Sequence, residues 1–222
     1  MSRFVFSPEV LHSVAKEAVA NKPTIEGKVE LLRSRLSEIY PGHIRQANEW
    51  VFNIAGGSMG HMTILHASIS EYVIVFGTPI GTEGYSGRFL ADDYFMILEG
   101  EQWAYDEDSM RKEIYRPGEM HIMPRGVARG YRMPDHCYAL EYARGWVPAM
   151  LPFGLADSFT STMDMRNVAK TVRIYAQATL GEWSTQLKER LLPGSKKPAA
   201  VASHADPLSV KGANGSNGRL TA

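Results

Sequence analysis

The 222-residue chain carries 24 Lys plus Arg against 24 Asp plus Glu, a formal charge of zero, and 44% of its residues are hydrophobic. This suits one domain with a sizeable core, and without a net field nucleic acid is excluded as a partner. The lone cysteine, Cys137, excludes an intramolecular disulfide and a thiolate zinc cluster and fits a reducing or cytosol-facing location.

Ser7, Pro8 and Glu9 read as N-cap, first helical residue and first-turn acid, and Val10, Leu11, Val14, Ala15 and Ala18 recur at helical spacing up to Asn21. Thr24 caps a second helix, striped by Val29, Leu32, Leu36 and Ile39 and stopped by Pro41 and Gly42. From Trp50 the period shortens. Strands are expected at Met62 to Leu65, Tyr72 to Phe76, Phe89 to Leu98, Trp103 to Tyr105, Ile114 to Tyr115, Met120 to Met123, Gly130 to Met133 and Cys137 to Tyr142. Helices are expected again over Pro148 to Met163 and through Val168, Val172, Tyr175, Trp183, Leu187 and Leu191. Their amphipathic faces either pack on the strands or lie in a membrane interface. The apolar stretch Trp146 to Ala156 is broken by prolines and too short to span a bilayer, and the first residues do not read as a signal peptide. The chain thus divides into N-terminal helices (1–49), an antiparallel β-barrel with the ligand pocket (50–145), C-terminal amphipathic helices (146–192) and a disordered tail (193–222).

Gly81, Asp93 and Gly100 fit the anchors of the first motif of cupin barrels, but its two histidine positions fall on Gly87 and Phe89. Gly118, Pro124 and Gly126 fit the second motif, whose histidine is replaced by Arg129. Glycine and phenylalanine offer no lone pair to a metal, so a metal-free, cupin-like barrel is expected in which one acid remains. His61, His66 and His121 lack ligand spacing, and no metal is expected there either.

Asp93 shares a period-2 row with Phe89, Ala91, Phe95 and Ile97, and Glu141 one with Cys137, Ala139 and Ala143. Carboxyls facing an apolar interior rise in pKa, and a facing pair shares one proton, leaving an acid and a base. Asp92 occupies the opposite row with Leu90, Tyr94, Met96 and Leu98, so either aspartate can be the inward one; the motif spacing favours Asp93. Tyr72 either donates to a buried carboxylate or is core, and Met62, Met123, Met133 and Met150 with Phe76 and Tyr175 form either a pliable ligand wall or ordinary core.

The blocks Tyr40-Pro-Gly-His, Leu65-His-Ala-Ser, Ser70-Glu-Tyr, Ala91-Asp-Asp-Tyr-Phe, Tyr115-Arg-Pro-Gly-Glu and Ala143-Arg-Gly-Trp-Val-Pro, in this order, resemble the fungal sterol Δ8-to-Δ7 isomerases and their relative, the sigma non-opioid receptor. The Ala-Asp-Asp-Tyr-Phe block is closer to the isomerase branch. The resemblance implies a homotrimer, a closed apolar pocket, and two acids at its centre, Glu141 and Asp93, with Asp92 the alternative under an ungapped match. It places Tyr72, Ile74, Phe76, Met62, Leu151 and Tyr175 around a sterol or other lipophilic molecule, and puts Ser58 where the receptor has an aromatic. It also implies location at the endoplasmic reticulum membrane, with the C-terminal helices touching the bilayer. The family usually starts with an N-terminal membrane anchor, and this sequence is expected to begin after that segment, whether the anchor was lost or the sequence is shortened. The expected activity is a cofactor-independent shift of a ring double bond. The alternatives are a non-catalytic binder of lipophilic amines or sterols and an acid-catalysed isomerase or cyclase of another terpenoid.

Overall fold

The computed structural model describes residues 4–191, and the tail expected over 193–222 lies outside the described residues. Two helices, α1 (Pro8–Asn21) and α2 (Ile25–Ile39), precede ten strands: β1 (Trp50–Ala55), β2 (Ser58–Ala67), β3 (Glu71–Thr78), β4 (Thr82–Tyr85), β5 (Ala91–Gly100), β6 (Gln102–Asp106), β7 (Glu113–Tyr115), β8 (Met120–Met123), β9 (Arg129–Met133) and β10 (Cys137–Gly145). A 3-10 turn (Val147–Ala149), α3 (Leu151–Thr160) and α4 (Met165–Leu191) follow. The protein is mainly antiparallel β with flanking helices.

The helix signals act as expected. The Ser7 hydroxyl accepts from the Val10 amide at 3.4 Å and the Thr24 hydroxyl from that of Gly27 at 3.3 Å, each satisfying a donor the helix leaves free. The apolar stripes, with Leu11, Leu32 and Leu36 fully buried, cover one face of a six-stranded sheet ordered β1-β2-β3-β10-β5-β8. Each such leucine contributes about 1.5–3 kcal/mol by leaving water. Val73, Val75, Tyr94, Met96, Leu140 and Tyr142 meet the helices from that face. A buried acid, Glu71, sits there too. It accepts from the Val5 amide at 2.7 Å, the Phe6 amide at 3.4 Å and the Tyr142 hydroxyl at 2.8 Å, tying the N-terminal segment to the sheet.

The opposite face, including Met62, Ile64, Phe76, Ile97 and Ala139, looks toward a second sheet ordered β4-β9-β6-β7. Among the described residues the strands form these two sheets rather than one continuously hydrogen-bonded barrel. The chain crosses between them at Gly100, whose φ of +74° and lack of a side chain are both required: a Cβ there would lie 1.9 Å from the His136 carbonyl oxygen. A second join is the Tyr85 amide, which donates to the Gly56 carbonyl at 2.9 Å.

The helix expected over Pro148 to Met163 is shorter and interrupted. A 3-10 turn precedes α3, and Met163 adopts φ +53°, breaking the chain before α4. α3 packs against β1, and α4 against β1 and β2, where Glu182 bonds the His43 ring at 2.9 Å. Both helices therefore wall the end of the space between the sheets.

Candidate active site

Strand register puts the two acids on the inner face. Glu141 on β10 lies opposite Ile74 of β3 and Phe95 of β5; Asp93 on β5 lies opposite Ala143 of β10 and Met123 of β8. The two carboxyls are therefore diagonal neighbours on adjacent strands, within reach of each other's field. Tyr72, opposite Ala143 on β3, donates its hydroxyl to Glu141 Oε1. Asp93 is 3% exposed, and its Oδ1 has no hydrogen-bond partner.

This environment splits the pair. Burial pushes Glu141 up to about 7, opposed by the Tyr72 hydroxyl, which stabilises the ionised form. Burial, then the Glu141 charge, push Asp93 well above the usual carboxylate range, against only the Tyr94 backbone amide. Near neutral pH the pair holds one proton, and that proton belongs on Asp93. Burial and then the two carboxylates raise Tyr72 well above its ordinary value, so it remains a donor.

The acids line a cavity of about 180 Å³. Met62, Tyr72, Ile74, Phe76, Leu151 and Tyr175 all line it, as the resemblance implied. Of the methionines, Met62, Met123 and Met150 line it, whereas Met133 is core beside it.

Asp92 does not belong to the site. Its half-exposed side chain points away, accepting from the Arg125 amide at 3.1 Å and lying 3.7 Å from Arg144. The positions of the missing cupin histidines have taken other work. Phe89 packs on Phe153 of α3 at 5.2 Å between ring centres, and Arg129 pairs with Asp106 and Glu113, each at 2.8 Å.

Sequence reasoning missed Gln102 and Tyr131 as lining residues and gave His121 no place there. Tyr131 shares a hydrogen bond with Ser58, so the position of the receptor's aromatic is here part of a hydroxyl pair. A strand alternation carrying Gln102 into an apolar interior was the available signal. Of the other histidines, His61 bonds the Tyr138 hydroxyl at 2.9 Å and His66 the His43 carbonyl at 2.8 Å. Among the described residues no group of three or more His, Cys, Asp or Glu is placed to hold a metal ion, and no helix is long and apolar enough to cross a membrane.

Two sheets enclosing an apolar chamber, with one acid protonated and its neighbour able to ionise, define a protein that handles protons or cations on a lipophilic molecule. The chain matches the model for "ERG2 and Sigma1 receptor like protein" over residues 1–186 and belongs to that family. It is 47% identical over 173 residues to "C-8 sterol isomerase erg2" of Aspergillus fumigatus, covering 77% of this chain and 72% of that one. It is 37% identical over 188 residues to "Sigma non-opioid intracellular receptor 1" of Xenopus tropicalis, covering 84% of each. Among solved structures, an RmlC-like cupin from Shewanella frigidimarina aligns with 46% of this chain and 90% of its own at 16% identity, with a TM-score of 0.39.

Proposed function

We propose that this protein is a C-8 sterol isomerase, moving a ring double bond from Δ8 to Δ7, with Asp93 as the acid and Glu141 as the base. The unequal, buried Asp93–Glu141 pair carries this reading, and the identity to fungal isomerases supports it. Asp93 delivers its proton to carbon 9, forming a C–H bond and leaving a tertiary cation at carbon 8. The Glu141 carboxylate stabilises that cation across a medium of low dielectric, then removes a proton from carbon 7, whose electrons form the new double bond. Once product has left, the proton gained by Glu141 exchanges with solvent and Asp93 is reprotonated, so the cycle consumes nothing. Excluding water matters because a free water would trap the cation as an alcohol.

Purified protein incubated with a Δ8 sterol in heavy water should yield a Δ7 sterol with one deuterium at carbon 9. A Δ7 product without deuterium would contradict protonation by an exchangeable acid. No product from folded protein supplied with lipid would overturn the isomerase reading.

The assembly and its place in the cell belong to the same proposal. Phe159, Met163, Leu180, Trp183 and Leu187 expose apolar surface on and between α3 and α4, which suits contact with a bilayer. The protein is a homotrimer lying at the endoplasmic reticulum membrane. Light scattering in mild detergent should give three chains per particle, and vesicle flotation should lose the protein when Leu180 and Trp183 are both changed to serine.

A further inference from the structure

The cavity has two unlike ends. Toward the helices it is walled by Ile64, Ala67, Met150, Leu151 and Tyr175; toward β6, β8 and β9 it meets Gln102, His121 and Arg129. Arg129 is already engaged by Asp106, Glu113 and the Tyr115 hydroxyl, the last at 3.0 Å. It has no unpaired charge to offer an anion. His121 is 8% exposed, with its ring stacked between Tyr115 and Phe95 at 4.0 and 5.3 Å. Burial, followed by the Arg129 charge, lowers its pKa to about 4, so the ring is neutral at physiological pH. This end of the chamber is polar yet uncharged, which suits a neutral hydroxyl better than a carboxylate, phosphate or ammonium.

The hydrogen bonding there is incomplete. His121 Nε2 lies 3.3 Å from Gln102 Oε1, which makes it the donor and leaves Nδ1 as the acceptor. Nδ1 is buried and without a partner, a condition that ordinarily costs stability. The Gln102 amide nitrogen has no partner either among the described residues. That nitrogen lies on the far side of the imidazole from Nδ1, so Gln102 acts by holding the ring in the tautomer that accepts at Nδ1, and a hydroxyl donating there satisfies the ring.

Its distance from the acids fits. Phe95 lies opposite both Glu141 and His121, so the three form one row across β10, β5 and β8. With strands about 4.8 Å apart, His121 is about 10 Å from Glu141 between Cα atoms, with the Phe95 ring stacked against the imidazole on that row. One saturated ring and its hydroxyl span that interval.

Resting on the isomerase reading, we propose that Gln102 and His121 form a hydroxyl-recognition site for the 3-hydroxyl of the sterol, fixing ring A beside Phe95 so that the ring double bond lies at the acid pair. The alkyl tail then runs toward α3 and α4. Gln102 and His121 are binding residues, and their effect on rate comes through register.

The test compares a Δ8 sterol bearing the 3-hydroxyl with its 3-deoxy counterpart, in turnover and in equilibrium binding of radiolabelled sterol to the full chain. Wild type should favour the hydroxy sterol by about tenfold or more in both kcat/KM and Kd. The ratio should fall toward one in His121→Phe and Gln102→Leu, while His121→Gln, which keeps an acceptor, should restore part of it. Equal handling of both sterols by wild type, or a ratio that survives both apolar variants, would overturn the site. Should a variant not fold, the wild-type ratio and His121→Gln still decide. Preferential binding without turnover of either sterol would sink the isomerase reading and leave the hydroxyl site standing; turnover of both at equal efficiency would do the reverse.

Discussion

One sheet carries two buried acid sites on its opposite faces, and they behave as opposites. On the helix-covered face, Glu71 has two backbone amides and the Tyr142 hydroxyl to accept from. On the cavity face, Glu141 has a single donor, Tyr72, and Asp93 has an oxygen with none. Burial is similar, since Glu71 is 1% exposed, Asp93 3% and Glu141 9%. The number of donors, not depth, separates a carboxylate that ties the fold together from one held ready to exchange a proton. The cavity pair is therefore a site where stability has been given up.

The largest expected effect follows from swapping each acid for its amide. Glu141→Gln should lower sterol turnover by about 10²–10⁴-fold, as loss of a general base does. Its effect on stability should be the reverse. In the wild type both states are protonated below the unfolded pKa of about 4.5, and nothing is lost. As pH rises toward about 7 the unfolded chain ionises first, so stability falls, and above 7 the loss is complete. Removing the titration should therefore leave the variant more stable than wild type at pH 8 by up to about 3 kcal/mol, and level with it near pH 4, by urea denaturation. Glu71→Gln should do the opposite, costing about 1–3 kcal/mol because the amide places a donor against donors, while turnover per folded molecule stays near wild type. Two variants that destabilise alike would break the comparison.

A smaller effect is expected at the single donor. Tyr72→Phe removes a hydrogen bond to a charged oxygen, worth about 1.5–3 kcal/mol, and should raise the Glu141 pKa further, by about one to two units. In the wild type kcat/KM should climb with pH through about 7 as Glu141 ionises and fall at higher pH as Asp93 loses its proton. The rising limb should move upward in Tyr72→Phe, and a limb that does not move would assign it to another group. The smallest effect belongs to Asp92→Asn, within about 0.5 kcal/mol of wild type and near wild type in turnover, since Asp92 faces outward.

Much of this was legible in the residues. Capping at Ser7 and Thr24 marked both N-terminal helices, and the row Phe89, Ala91, Asp93, Phe95 placed an acid among apolar neighbours. Which aspartate faced inward was not, because β5 is buried on both faces. Tyr94, Met96 and Leu98 meet the helices while Phe95 and Ile97 meet the cavity, so hydrophobic alternation carries no direction. β4, Thr82–Tyr85, went unseen because its sequence Thr-Glu-Gly-Tyr has no apolar alternation. Glu71 could be read only as part of a family block, since its donors Val5 and Phe6 lie more than sixty positions away. The Gln102–His121 pair was hidden for a related reason: two sheets must meet before β6 and β8 share an end of the cavity.

The most direct test is the titration of Glu141 itself. In protein labelled with ¹³C at glutamate side-chain carboxyls, the signal missing from Glu141→Gln identifies the group, and its shift is followed against pH in the sterol-free enzyme. A midpoint near 7 is expected, with the Glu141 carboxylate and the Asp93 proton coexisting at neutral pH. A midpoint near 4.5, the value of an ordinary glutamate, would contradict the unequal pair on which the proposed chemistry rests.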